Sequence, residues 1–328
     1  MRLERLLIGA AAITLVGWPA ARWCWTSPAL AEPGLVVVHS GQPWENAKKL
    51  SGEALEPRFE SIKSLYELKR APGANDWLLA QREPPQTFAD LIHEAPSRPA
   101  GKLKTIVIQP LGELGPGQQR VVTLVADYMA RFFGLPVRVE KLIPASAIPD
   151  TARRLHPTYG VPQLSTTGAV KVLTPKRPAD AFAYVAFTGE DLFPRKDWNF
   201  VFGQAFPEER IGLWSLARYG NPDASPEAFR LCLSRAMKVA VHEMTHLLGV
   251  NHCQAYECVM NGSNSLTETD SGSHFLCPIC LQKLVWSTHV DPVIRMRRLQ
   301  EFYTANGFDK EAGFAARNLK MWAEAGAR

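Results

Sequence analysis

Residues Val241–His252 read VHEMTHLLGVNH, and the order of residue types in that stretch decides how the rest of the chain is read. On a helix, positions four apart share a face, so His242 and His246 can grip one ion together. Glu243 follows the first histidine. It lies off the shared face but within reach of a water held beside the two imidazoles. Gly249 comes one turn later, where a residue free to take positive φ can end the helix and reverse the chain. The reversal returns His252 as a third ligand. Three neutral imidazoles leave a fourth position for water, which a catalytic zinc site needs and a structural one avoids. Zinc lowers the pKa of such a water to about 7 and polarises a scissile carbonyl. Glu243 is placed to take the proton and pass it to a leaving amine. H-E-x-x-H alone arises by chance in a chain this long about 1% of the time, and Gly249 with His252 lowers that about a thousandfold. Two surface histidines on an amphipathic helix are therefore the weaker reading. The apolar flanks Val239, Ala240, Val241, Leu247 and Leu248 also mark the helix as buried.

The segment just downstream holds four of the six cysteines: Cys253, Cys258, Cys277 and Cys280. C-x4-C followed by C-P-x-C is metal-ligand spacing, and four thiolates close a tetrahedral structural zinc site with no open position. A pair of disulfides is the competing reading in an exported protein. Cys253 follows His252 directly, so a second metal would fix the loop behind the helix. Met260 lies just after Cys258, either as a methionine turn beneath the three histidines or as ordinary core. His274 is close enough to substitute as a ligand, and a solvated loop histidine is the plainer reading. No transition-state donor is assigned; Tyr219 and Tyr256 are the two unassigned candidates.

Working outward, the chain alternates strand and helix signals. Lys104–Gln109 reads as a short buried strand, and Gln118–Phe133 as a helix with one wide apolar face that Gly134 stops. Val137–Leu142 reads as the next strand, and the Pro-rich Ile143–Pro162 as a surface loop. Ala181–Phe187, Phe200–Phe202 and Ile211–Tyr219 are further strands. Ser225-Pro226 makes a helix start, and that helix runs through the histidines to Leu248. Helical patterns follow at Pro278–Trp286, Val293–Phe302 and Lys310–Ala323. The basic face at Arg295, Arg297 and Arg298 reads as solvated rather than as a membrane or partner contact.

At the other end, Arg2 and Arg5 precede an apolar stretch from Leu6 to Trp18, and Ala29-Leu30-Ala31 offers a small-residue exit. That pattern describes a signal peptide or an N-terminal anchor over residues 1–31, hence a protein exported to the periplasm or secreted, or attached to a membrane. A cytoplasmic protein with a buried N-terminal helix is the competing reading. Residues 32–100 form an N-terminal extension with a strand at Leu35–Val38 and helical pieces at Phe59–Lys69 and Trp77–Arg82. The extension has no cysteine between 32 and 100 to cap a zinc ion, so an added lobe or wrap suits it better than an inhibitory pro-segment. A catalytic domain over 101–290 and a C-terminal helical segment over 291–328 complete the division. The 328 residues are 46% hydrophobic and 21% charged, which is ample for a sizeable core. The net charge is +5, and leaving out the leader's three arginines and one glutamate makes it +3. That balance implies no nucleic-acid partner, and Glu257, Glu268 and Asp270 flank the cysteines where a basic stripe would be needed.

HEMTHLLGVNHCQAYECVM followed by CPIC resembles the archaemetzincins, which combine the long zinc motif with four cysteines and a methionine. DWLL at Asp76–Leu79, IVIQPLG at Ile106–Gly112, DAFAYVAFTGEDLFP at Asp180–Pro194 and IGLWSLARY at Ile211–Tyr219 are similar to segments of the family's longer members. The likeness covers about residues 70 to 305. It implies an α/β (α+β) metzincin-like zincin domain with a twisted mixed sheet, an active-site helix and a second, structural zinc site. It also implies two zinc ions: a catalytic one on His242, His246 and His252 with Glu243 as base, and a structural one on Cys253, Cys258, Cys277 and Cys280. Met260 would be the turn methionine, and Ile211–Tyr219 the edge strand on which an extended peptide adds. The expected activity is zinc-dependent hydrolysis of peptide or protein substrates. A non-catalytic zinc-binding protein on the same fold is the alternative, and Glu243 argues against it, because a binding module has no need of a carboxylate beside an open metal position.

Overall fold

The computed structural model describes residues 43–81 and 83–326. The leader at 1–31 and the strand expected at Leu35–Val38 lie outside the described residues. Among the described residues no helix is long and apolar enough to cross a membrane.

Among its described residues the extension contributes four short α-helices: α1 (Glu45–Leu50), α2 (Pro57–Glu60), α3 (Trp77–Ala80) and α4 (Phe88–Glu94). The helix expected over Phe59–Lys69 is broken, because the backbone there pairs with the loop behind the histidines. Lys69 N–H donates to Ala255 O at 3.0 Å and Glu257 N–H to Glu67 O at 2.9 Å. A segment committed to those partners cannot also close helical bonds.

Next come β1 (Thr105–Leu111), α5 (Pro116–Phe133), β2 (Val137–Val139), β3 (Arg153–Leu155), β4 (Pro162–Ser165), α6 (Thr166–Leu173), β5 (Ala181–Thr188), β6 (Asp191–Phe193), β7 (Gly203–Phe206) and β8 (Ile211–Ser215). The main sheet has the order β2-β1-β5-β8-β7; every pair is parallel except β7 with β8. β5 is buried along its whole length, as a continuous apolar run in a two-sided sheet must be. Its side chains alternate between two cores. Val185 and Phe187 join Ile106, Ile108 and Trp214 on the face covered by α5 and the histidine helix, while Tyr184 and Ala186 join Val107 and Leu213 on the face covered by α6. A second sheet, β3-β4-β6, occupies part of the stretch expected to be loop. Too short to show periodicity, β3 forms because β4 pairs with it antiparallel.

Ile211–Ser215 is not the edge: β5 lies on one side of it and β7 on the other, with Gly203 opposite Trp214 and Phe206 opposite Ile211. An unbroken apolar strand belongs inside a sheet, and the edge strand on that side, GQAF, is too short to announce itself. The strand expected at Phe200–Phe202 shrinks accordingly to a bridge between Val201 and Leu192.

The remaining elements are α7 (Pro226–His246), α8 (Leu266–Ser271), α9 (Pro278–Thr288), α10 (Pro292–Ala305) and α11 (Asp309–Gly326). Ser225 caps α7 by accepting from Ala228 N–H at 3.1 Å, and Pro226 fills its first position. Arg297 and Arg298 on α10 are exposed as expected, but Arg295 is not: it is 1% exposed, donates from Nε to Phe132 O at 2.7 Å and lies over the Phe132 ring. Phe59 and Leu91 of the extension, Val241 of α7 and Phe302 and Trp322 near the C-terminus all belong to one core.

Candidate metal centre

From Ala236 to His246 every residue of α7 is buried, so this half of the helix is core on all sides. His242 and Glu243 are fully buried, His246 is 1% exposed and His252 3%. After Leu247 the chain turns at Gly249, whose φ of +81° places it in the left-handed region. A Cβ there would sit 2.6 Å from Pro96 Cβ, so the turn needs glycine on both counts. The turn swings His252 back to face the helix, and the three rings converge.

Each imidazole has Nδ1 on an acceptor. His242 Nδ1–H donates to Val259 O at 2.7 Å and His246 Nδ1–H to Val250 O at 2.6 Å. His252 Nδ1–H donates to Glu83 Oε2 at 2.7 Å. With Nδ1 protonated, each Nε2 presents a lone pair. These lone pairs face one another: His246 Nε2 is 2.9 Å and His252 Nε2 3.3 Å from His242 Nε2. A zinc ion about 2.0–2.1 Å from each of its nitrogens holds them roughly 3.3 Å apart, so the ring geometry fits the ion closely. Burial, reinforced by the neighbouring histidines, pushes His242 and His246 well below the usual imidazole range, and burial pushes His252 down to about 3. All three are therefore the neutral form that a metal requires.

Two groups near the histidines escape sequence reasoning. Glu83 also accepts from His252 N–H at 3.2 Å, and burial pushes its carboxyl up to about 8. Trp77 lies with its ring centroid 4.0 Å from that of His252. Trp77 falls within the DWLL likeness, which gave it no place at the site, and nothing local points to Glu83, which is 169 residues from its partner. Gly203 on β7 faces Glu243 from the sheet, and a Cβ there would lie 3.3 Å from Glu243 Cγ. Tyr219 packs on Phe202 with its hydroxyl buried, whereas Tyr256 pairs its backbone with Leu68 on the cysteine side.

The cysteines form a second cluster. Cys253, Cys258, Cys277 and Cys280 are buried free thiols whose sulfurs all lie within 4.8 Å of one another. The pairing as disulfides is not formed: Cys253 Sγ and Cys277 Sγ are 3.6 Å apart, against about 2.05 Å for a bond. Zinc at about 2.3 Å from four sulfurs spaces them roughly 3.8 Å apart. Cys258 Sγ accepts from Cys277 N–H at 3.2 Å and Met260 N–H at 3.5 Å, which suits a thiolate. Contacts from Cys258, Cys277 and Cys280 push the Cys253 thiol well down. Burial holds Cys277 well up, and the thiol contacts, led by Cys253, hold Cys280 well up. A divalent cation at the centre of the four sulfurs would offset the charge of the thiolates that such a donor set presents. His274 belongs to neither cluster and is not solvated. It is 5% exposed, with Nε2 3.0 Å from Ser234 Oγ.

The loop between the clusters connects them. Met260 is fully buried and its carbonyl accepts from Cys253 N–H at 2.8 Å, while Val259, one residue back, holds His242.

Residues 183–285, which span both clusters, match the family model of Peptidase family M54. The chain is 32% identical to Archaemetzincin-2 of Pongo abelii over 283 residues, covering 77% of each chain. It is 32% identical to Archaemetzincin-1 of Homo sapiens over 263 residues, covering 70% of this chain and 51% of that one. The crystal structure of an archaemetzincin from Methanopyrus kandleri aligns with a TM-score of 0.46 at 27% identity, over 58% of this chain and 99% of that one.

Proposed function

The chain belongs to the archaemetzincin family and is a zinc metallopeptidase, and from that premise we propose that its catalytic zinc is held by His242, His246 and His252 with Glu243 as general base. The observation that carries the assignment is the convergence of three Nε2 lone pairs whose Nδ1 atoms are all hydrogen-bonded. When bound, the ion supplies Lewis acidity, drawing electron density from a peptide carbonyl and from a water so that attack becomes feasible near neutral pH. Glu243 takes the proton from the attacking water and delivers it to the departing amine nitrogen. Its fully buried position beside His242 strengthens that transfer by excluding bulk solvent. β7, the edge strand on the side of the histidine helix, carries Gly203 opposite Glu243, so an extended peptide adding to that edge would lay its backbone across the helix.

A structural zinc on Cys253, Cys258, Cys277 and Cys280 and a turn role for Met260 complete the proposal. Four crowded thiols and the Met260–Cys253 backbone bond support them. Export through residues 1–31 also belongs to the proposal, on the strength of the Arg2/Arg5 flank and the apolar run, and N-terminal sequencing of the mature protein tests it. The test of the whole is elemental zinc content alongside hydrolysis of a random quenched-peptide library, before and after chelation. About two zinc ions per chain, with cleavage lost on chelation and restored by zinc, is the expected result. Two ions and no cleavage in the loaded protein would favour the non-catalytic alternative. One ion or none would overturn a ligand set.

A further inference from the structure

The three histidines are not held alike. His242 and His246 donate to backbone carbonyls of the loop that follows α7. His252 donates to a carboxylate, Glu83, which comes from the extension and lies outside the 183–285 segment that carries the family match. The contact is built in. The Glu83 side chain is 11% exposed, its second oxygen accepts from His252 N–H, and its own carbonyl accepts from Gln254 Nε2 at 2.7 Å. One turn of chain later, Gln86 grips the same arm from its other end: Oε1 accepts from Asn251 N–H at 3.1 Å and Nε2 donates to Gly249 O at 3.0 Å. Lys283 on α9, one turn beyond Cys280, donates to both the carbonyl and the side-chain oxygen of Gln86.

We propose that Glu83 is the positioning residue for the third zinc ligand, and that through it the N-terminal extension sets the affinity of the histidine site for its metal. This rests on the histidine-site assignment above. A buried carboxylate on Nδ1 does three things for a metal-ligating imidazole. It fixes the tautomer with Nε2 free, it locks the ring orientation, and with its second oxygen on His252 N–H it ties the ring to the backbone of its own residue. His242 and His246 sit on a rigid helix and need only the first two. His252 hangs on a glycine turn, so the ligand that the backbone constrains least is the one held by two side-chain oxygens at once.

The test measures zinc affinity in the full chain by competition with a chromophoric chelator, with elemental zinc counts and metal-free melting temperatures alongside. Glu83→Gln and Glu83→Ala are compared with wild type, and His246→Ala serves as a control for the histidine site. Loss of one zinc from His246→Ala confirms the site on which the proposal rests; two zinc ions in that control would overturn the site itself. Given that loss, Glu83→Gln should weaken the histidine zinc about tenfold and Glu83→Ala up to about a hundredfold. The cysteine zinc and the metal-free melting temperature of Glu83→Gln should not change. Wild-type affinity in both Glu83 variants would overturn the proposal. So would equal weakening of both zinc ions, or a matching fall in metal-free melting, since either would make Glu83 a packing residue.

Discussion

At the scale of single residues the protonation states are set by burial, and they are what make the metal chemistry available. The same physics acts at His274, away from both clusters. Buried beside Ser234, with Lys238 and Lys310 nearby and Glu311 4.0 Å from Nε2, it is pushed well below the usual imidazole range, chiefly by burial. A histidine neutral in the fold but titrating near 6.5 in the unfolded chain contributes stability that is present above that value and lost as pH falls below it. Urea unfolding of His274→Asn should therefore show a shallower loss of stability below pH 6.5 than wild type, by about 1.4 kcal/mol per pH unit. Parallel pH profiles would show that His274 titrates alike in both states. The proposed ligands were legible in the sequence because their geometry is local: i and i+4 on a helix, a glycine turn, clustered cysteines. Glu83 was not, because its place depends on how a segment 169 residues away returns to the helix. For His274, a polar residue between short helices read as solvated, and only the packing of Tyr303 and Phe308 around it shows otherwise.

At the scale of elements, α7 could be read end to end. Its cap, its first-turn proline and its terminal glycine are independent local signals that agree. The sheet was harder. β5 and β8 announce themselves as apolar runs, but strand order depends on long-range pairing, so the edge fell to a four-residue strand that no pattern marks. The edge role makes Gly203 a sensitive position. A Cβ would lie 2.4 Å from Trp214 Cδ1 and 3.3 Å from Glu243 Cγ, so a larger side chain must move one or both. Gly203→Val should keep its zinc, lose peptidase activity at least tenfold, and cost about 1–3 kcal/mol of stability from overpacking. Calorimetry and initial rates read both quantities. Wild-type rates would mean that the sheet edge does not border the reacting centre.

At the scale of the whole molecule, the extension, the sheet domain and the C-terminal helices share one core, and the two metal clusters share one loop. Cys253 adjoins His252, and Val259, between Cys258 and Met260, holds His242. Loss of the cysteine zinc should therefore reach the catalytic site. Cys258→Ser should bind about one zinc ion per chain, melt at lower temperature and hold the histidine zinc more weakly than wild type. An unchanged histidine-site affinity would show that the clusters act separately. On the proposed assignment this architecture places Glu243 beside a histidine-bound zinc as the base for peptide hydrolysis. The most direct measurement is kcat/KM of Glu243→Gln on a cleaved library peptide, with zinc content determined on the same sample. Wild-type zinc with a fall of about 10²–10⁴ in rate is the predicted result, and wild-type zinc with wild-type rate would contradict it.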